Sequence, residues 1–175
     1  MEIGLAYGLP VNVYGLCTDA HLPDIQSRYE RMLNALLPTL AGADEISGVG
    51  EMCGGVVSSL AQMVIDDEIL DYVQRVRRGF VTDAESLAVE VIADAMDGAR
   101  NFMGQKHTVK FMRQGEVLQT RLARREGWGE WEGSGRKGIA ERANERAAEL
   151  LASHPALPLS EQQQAAMQDI LRLHV

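Results

Sequence analysis

The feature that most restricts this chain is a strand-sized apolar run, Val11 to Tyr14. It passes through Gly15 into the polar cluster Cys17-Thr18-Asp19 and then into a helix opened by Pro23. A strand, a polar turn and a helix in that order make one unit of an α/β protein. Ligands in such proteins gather at the carboxyl ends of the strands, so Cys17-Thr18-Asp19 is the first place to expect a site. The helix behind it runs from about Pro23 to Leu40. Ile25, Tyr29, Met32, Leu33, Leu36, Leu37 and Leu40 recur at helical spacing as its inward stripe. Pro23 suits a first helical turn, where its missing N–H has no partner to lose, and Gly42 ends the helix.

The order then repeats. Glu45 to Gly50 reads as a second short strand, followed by the turn Glu51-Met52-Cys53-Gly54-Gly55 and a helical run from about Val56 to Val64. Two such units in succession predict parallel strands with right-handed crossovers. Asp66-Asp67-Glu68 opens a further helix that closes on Arg75, Arg77 and Arg78, with charges at the ends that the helix dipole favours. Ile69, Leu70, Val73 and Val76 are its apolar face. Thr82-x-x-Glu85 has capping-box spacing for a helix that turns Leu87, Val91, Ile92 and Met96 inward. Asn101 to Met103 reads as a third, very short strand before Gly104-Gln105-Lys106-His107-Thr108. Ahead of Pro10, Met1 to Gly8 reads as the end of a helix.

From Glu126 to Lys137 the chain is glycine-rich, charged and carries both tryptophans, which reads as a loop. A helix from about Ile139 to Ser153 follows, with Arg142–Glu145 and Arg146–Glu149 pairs and Ala143, Ala147, Leu150 and Leu151 inward. Pro155 and Pro158 separate it from a last helix that opens with Ser160-x-x-Gln163 and ends near Leu173. The tally is about three strands against twice as many helices. A (β/α)8 barrel needs eight strands and typically ~250 residues, and a doubly wound sheet also needs more strands than these. The expected fold is therefore the last part of a larger α/β domain, and a small helical protein is the alternative. Residues 1–125 would be its βα units and residues 126–175 the loop and terminal helices of the same domain.

Composition narrows the function. A formal charge of -8 on 175 residues argues against nucleic acid or an anionic membrane as the main partner. The arginine groups at Arg75, Arg77, Arg78 and at Arg121, Arg124, Arg125 read as solvated helix faces. No apolar run approaches the ~20 residues of a membrane span, and no signal peptide opens the chain. Cys17 and Cys53 are the only cysteines. With no secretory signal they suggest free thiols in a reducing, cytoplasmic setting.

The residues also resemble a known family. Gly15-x-x-Thr18-Asp19-Ala20 with Asp24 and Gln26 is similar to the corresponding turn of the trimethylamine methyltransferase family. So are Gly42-Ala43 before a short strand, the Asp67-Glu68-Ile69 helix, and Gly79 followed by the Glu85 to Ile92 helix. His107-Thr108, Arg113, Arg121, Trp131, Glu141-Arg142-Ala143 and His154 with Pro158-Leu159 fall in the order that family shows. The resemblance runs over nearly the whole chain. It implies the C-terminal part of a (β/α)8 TIM barrel with extra terminal helices. It implies an enzyme that moves a methyl group from a methylamine or a quaternary amine such as glycine betaine to the Co(I) centre of a separate corrinoid protein. No cofactor would be bound directly, since the cobamide belongs to the partner. All residues here are standard, which matches the branch without pyrrolysine.

Such chemistry asks the protein to hold a cation with one methyl group exposed and to exclude water, while the cofactor supplies the nucleophile. Aromatic faces and carboxylates suit an ammonium group. Asp19 and His107 are the candidate catalytic residues, and Tyr14, Thr18 and Glu51 the candidate substrate-binding residues, all near expected strand ends. Each also has a plainer reading: Asp19 as a turn cap, Tyr14 as a core aromatic, Glu51 as a solvated carboxylate, His107 bonded to backbone at a helix start. Cys17, Cys53 and His107 could alternatively form an open zinc site, although their spacing matches no compact metal motif. Two other functions stay open: a non-catalytic module that binds an ammonium compound, and an inactive remnant. Exposed strand edges and apolar faces would favour a homo-oligomer or association with the missing part of a barrel.

Overall fold

A computed structural model describes residues 1–155 and 157–172. A short helix α1 (Glu2–Ala6) leads into strand β1 (Asn12–Val13), helix α2 (Ile25–Leu40) and strand β2 (Glu45–Ile46). β1 and β2 pair in parallel, Asn12 opposite Glu45 and Val13 opposite Ile46, with α2 as the crossover. This is the expected βαβ unit, with strands shorter than the sequence suggested.

Local chemistry explains the crossover helix. Asp24 caps α2 by accepting the Ser27 N–H at 3.3 Å. At the other end Gly42, at φ +94°, allows a Schellman turn: the N–H of Ala43 donates to Pro38 O at 2.9 Å and that of Gly42 to Thr39 O at 3.2 Å. Pro38 lies inside the helix and has no N–H to give Asn34. Gly15 approaches that freed carbonyl from the end of β1. A Cβ at Gly15 would lie 2.9 Å from Asn34 O and 2.9 Å from Ile46 Cγ2, so only glycine lets the strand end close on the helix here.

The second unit differs from expectation. Glu51–Met52 is strand β3, and Val57–Ser58, expected to be helical, is strand β4, antiparallel to it. The intervening Gly54 and Gly55, at φ +63° and +87°, turn the chain back in a hairpin. A single helix α3 (Leu60–Arg78) follows, capped by Ser59, which accepts the Gln62 N–H at 3.2 Å. Asp66 therefore sits inside α3 and does not open it. Asn101–Met103 is a turn rather than a strand. The described residues thus hold one parallel and one antiparallel pair of strands, and no closed barrel.

α3 is the centre of the packing. Leu16, Ala35 and Val73 form one buried cluster between β1, α2 and α3. Ala61, Ile65, Leu122 and Ala143 form another between α3 and helix α8 (Ile139–Ser153). Between α3 and α8, the buried Glu68 accepts the N–H groups of Arg121, Leu122 and Ala123 at 2.7, 2.5 and 2.9 Å, fixing the loop there.

The outer elements are α4 (Ala84–Leu87), α5 (Val89–Asp97), α6 (Lys106–Arg113), α7 (Trp128–Gly133) and α9 (Glu161–Arg172). The capping box of α4 is formed by Asp83 and Ser86, one residue after the expected Thr82-Glu85, and its hydrogen bonds hold the Asp83 carboxyl below the usual range. Trp128 and Trp131 lie on α7, where a loop was expected. In α8 Arg146–Glu149 pairs as expected at 3.1 Å, but Glu145 takes Lys137 and Arg142 donates to Leu122 O. α9 has its expected Ser160–Gln163 cap, and Leu173 lies outside the described residues. Among the described residues no helix is long and apolar enough to cross a membrane.

The largest correction concerns the α2 stripe. Ser27, Arg31, Ala35 and Thr39 are its buried face. Ile25 is 81% exposed, and Tyr29, Leu33, Leu37 and Leu40 are all more than half exposed, whereas Met32 and Leu36 pack half-buried against the Leu16–Ala35–Val73 cluster as expected. Likewise Leu87, Ile92 and Met96, expected inward, are exposed, and the neighbouring Ala95 is buried instead.

Candidate functional site

The ends of β1 and β3 are tied together from beneath by a buried polar network. Arg31 is fully buried on α2. It donates to Asp66 Oδ2 at 2.6 Å, to Leu16 O at 2.5 Å, to Ser27 Oγ at 3.2 Å and to the Glu51 carbonyl. Asp66, also fully buried, accepts the Gly50 N–H at 2.7 Å and Gln62 Nε2 at 2.8 Å. Burial drives the two groups toward neutrality, pushing the Asp66 carboxyl up and the Arg31 guanidinium down, and their mutual attraction opposes this. The consequence is geometric: one guanidinium fixes the chain just after β1 and at β3.

Above this network the turn after β1 is held by Glu30. Its Oε2 accepts Thr18 Oγ1 at 2.5 Å and the Asp19 N–H at 3.2 Å, and its Oε1 accepts Gln26 Nε2 at 2.9 Å. The Thr18 and Gln26 bonds lower the Glu30 carboxyl from its ordinary value. The Thr18 hydroxyl also accepts the Ala20 N–H at 3.0 Å. Thr18 is buried with its hydroxyl engaged on both sides, so it orders the turn.

Tyr14, Asp19 and Glu51 converge on the Gly54-Gly55 turn. A Cβ at Gly55 would lie 2.8 Å from the Tyr14 hydroxyl and 3.3 Å from Glu51 Oε2, and one at Gly54 would lie 3.5 Å from Asp19 Oδ1. Glu51 Oε2 is buried and has no hydrogen-bond donor. The two turns are zipped by backbone, Gly54 N–H to Thr18 O at 2.9 Å and Cys53 N–H to Ala20 O at 3.2 Å. Cys53 takes a left-handed backbone at φ +54°, an uncommon conformation for a side chain other than glycine. Its Sγ lies 3.1 Å from His21 Nδ1.

His107 is placed elsewhere. It lies on α6, with Nε2 2.8 Å from Glu85 O and its ring stacked on Phe111 at 4.3 Å. It lines an open cleft of about 810 Å³ with Leu87, Val89, Lys106 and Lys110, and shares none of the contacts of the Tyr14–Asp19–Glu51 group. The thiol of Cys53 meets His21 and not His107, and the described residues hold no group of three potential metal ligands.

Sequence reasoning missed Arg31, Asp66, Gln62, Glu30 and His21. The signal for the first three was available: Ser27 and Arg31 on one helix, and Gln62 and Asp66 on another, are polar residues at four-residue spacing. Nothing in the sequence said that those two faces meet.

Two carboxylates and a phenol thus meet at one glycine turn. Residues 2–173 match the family model described as trimethylamine methyltransferase (MTTB), and the chain belongs to this family. It is 36% identical over 156 residues to trimethylamine methyltransferase MttB2 of Methanosarcina mazei, across 87% of this chain and 30% of that protein. It is 33% identical to a trimethylamine methyltransferase of Desulfitobacterium hafniense, across 94% of this chain and 33% of that protein. A glycine betaine methyltransferase of the same species is 26% identical, across 89% and 33%. The chain thus spans about a third of the length of the curated relatives it matches.

Proposed function

We propose that this chain forms the C-terminal part of a (β/α)8 methyltransferase that takes a methyl group from a methylated amine and passes it to a corrinoid protein. Family membership supports the reaction class, and the βαβ unit with its site at the strand ends is compatible with that barrel. The observation that carries the substrate reading is Glu51 Oε2. A buried carboxylate oxygen without a donor is costly, and a cation seated beside it removes that cost.

In this reading Glu51 and Asp19 balance the ammonium charge, and the Tyr14 ring and hydroxyl define the wall beside Gly55. Thr18 and Glu30 hold the Asp19 turn, and the Arg31–Asp66 pair holds the two strand ends at a fixed separation. With the nucleophile supplied by the cobalt of a bound partner, these residues would need only to bind, orient and exclude water. Further chain completing the barrel would cover the exposed stripe of α2, so we infer that the chain works in association with such sequence.

Calorimetric titration with trimethylamine and with glycine betaine tests this. The expected result is binding of at least one of them, weakened about tenfold or more by Glu51→Gln, in line with a lost charged contact. Binding unaffected by Glu51→Gln would remove Glu51 from the site. Absence of binding to the unaltered chain, with the Co(I) absorbance of an added corrinoid protein also unchanged, would remove the cation site from these residues altogether.

A further inference from the structure

Cys53 and His21 are 32 residues apart in sequence, yet the Sγ of one lies 3.1 Å from Nδ1 of the other. Backbone enforces the meeting, because the N–H groups of Cys53 and Gly54 donate to Ala20 O and Thr18 O. The thiol is in no disulfide and also donates to Ala20 O at 3.8 Å, while Cys53 is half-buried and His21 is exposed. Cys17 is also free and half-buried; it lies within electrostatic reach of the Arg31 guanidinium but has no imidazole partner among the described residues, so it serves as the second thiol for comparison.

Neither the family relationship nor the cation site uses this pair. An imidazole at hydrogen-bond distance from a thiol can take its proton as the sulfur attacks. We infer that Cys53 and His21 form a modification site, a thiol–imidazole pair that is S-thiolated by a small disulfide. Cys53 Sγ bonds to one sulfur of the disulfide while the disulfide S–S bond breaks. His21 Nδ1 takes the thiol proton and returns it to the departing thiolate. The disulfide is the only oxidant, and the products are one mixed disulfide and one thiol. The adduct stands at the turn beside Gly54, next to Asp19. This inference holds whether or not the chain transfers methyl groups.

The test is reaction of the chain with oxidised glutathione, with the adduct at each cysteine followed by peptide mass over time. Cys53 is expected to react at least about tenfold faster than Cys17, and His21→Ala to abolish that preference while leaving the Cys17 rate unchanged. The Cys17 rate and the far-ultraviolet circular dichroism report whether the variant is folded. His21→Gln, polar but unable to take the proton, is expected to behave as His21→Ala, so a fold defect in one variant does not decide the matter. Equal rates at the two cysteines in the unaltered chain, or a Cys53 preference that survives loss of the imidazole, would overturn the assignment.

Discussion

The half of the molecule centred on α3 and the helices that lie outside it are built differently. α3 buries Ala61, Gln62, Ile65, Asp66, Glu68 and Val73, polar and apolar side by side, and both buried carboxylates on this helix, Asp66 and Glu68, have partners. Among the described residues α4, α6, α7 and α9 bury nothing, and α5 buries Ala95 alone. The first region is held by directional contacts that fix where chain segments end. The second presents amphipathic helices whose apolar sides are covered only in part within these residues. Geometric accuracy for a site comes from the first kind of packing, and Tyr14, Asp19 and Glu51 all stand on it, whereas His107 stands on the second.

If that contrast is right, substitutions should separate the two regions cleanly. The largest effect is expected from Arg31→Met, which leaves Asp66 buried and unpaired and costs about 3–5 kcal/mol, much of a domain's stability. Urea denaturation measures it, and the double variant Arg31→Met/Asp66→Leu should be more stable than the single one. A double variant as unstable as Arg31→Met would show that packing, not charge, is what the pair contributes. Gly15→Ala comes next. Its methyl would meet the Asn34 carbonyl and Ile46 at 2.9 Å, so a loss of about 1–3 kcal/mol is expected by the same measurement.

A smaller effect concerns acid. The Glu30 carboxyl is lowered in the folded state, so its bonds contribute stability above its unfolded value of 4.5 and lose it as the pH falls through the lowered value. Glu30→Gln should therefore flatten the fall in stability with pH below 4.5, read from melting temperatures across that range. An unchanged slope would mean that the turn after β1 does not depend on ionised Glu30. The smallest effect is expected outside the α3 region: Ile92→Ser, on an exposed face of α5, should alter stability by no more than about 0.5 kcal/mol. A loss as large as that of Gly15→Ala would erase the distinction between the two regions.

Much of the local structure was legible. The bounds of α8 coincide with the expected Ile139 to Ser153, the Ser160–Gln163 cap is present, and β1 and β2 pair in parallel around α2. Three of the five candidate site residues meet at one turn. The failures share a cause. Val56 to Val64 has the apolar content of a helix and is helical from Leu60, but two glycines before it let Val57 fold back on Met52. The apolar stripe of α2 was read as its buried side because periodicity shows that an amphipathic face exists and does not say which neighbour lies against it.

The sequence by itself determined the bounds of α8, the cap of α9, the glycine that ends α2 and the family to which the chain belongs, because caps, glycines and residue order act over a few positions. Tertiary structure alone decided that Arg31 pairs with Asp66, that Glu51 keeps an oxygen without a donor, and that His21 meets Cys53. The Arg31–Asp66 and His21–Cys53 contacts join residues 35 and 32 positions apart, and their partners are selected by how whole elements pack, a quantity that no short stretch of sequence contains.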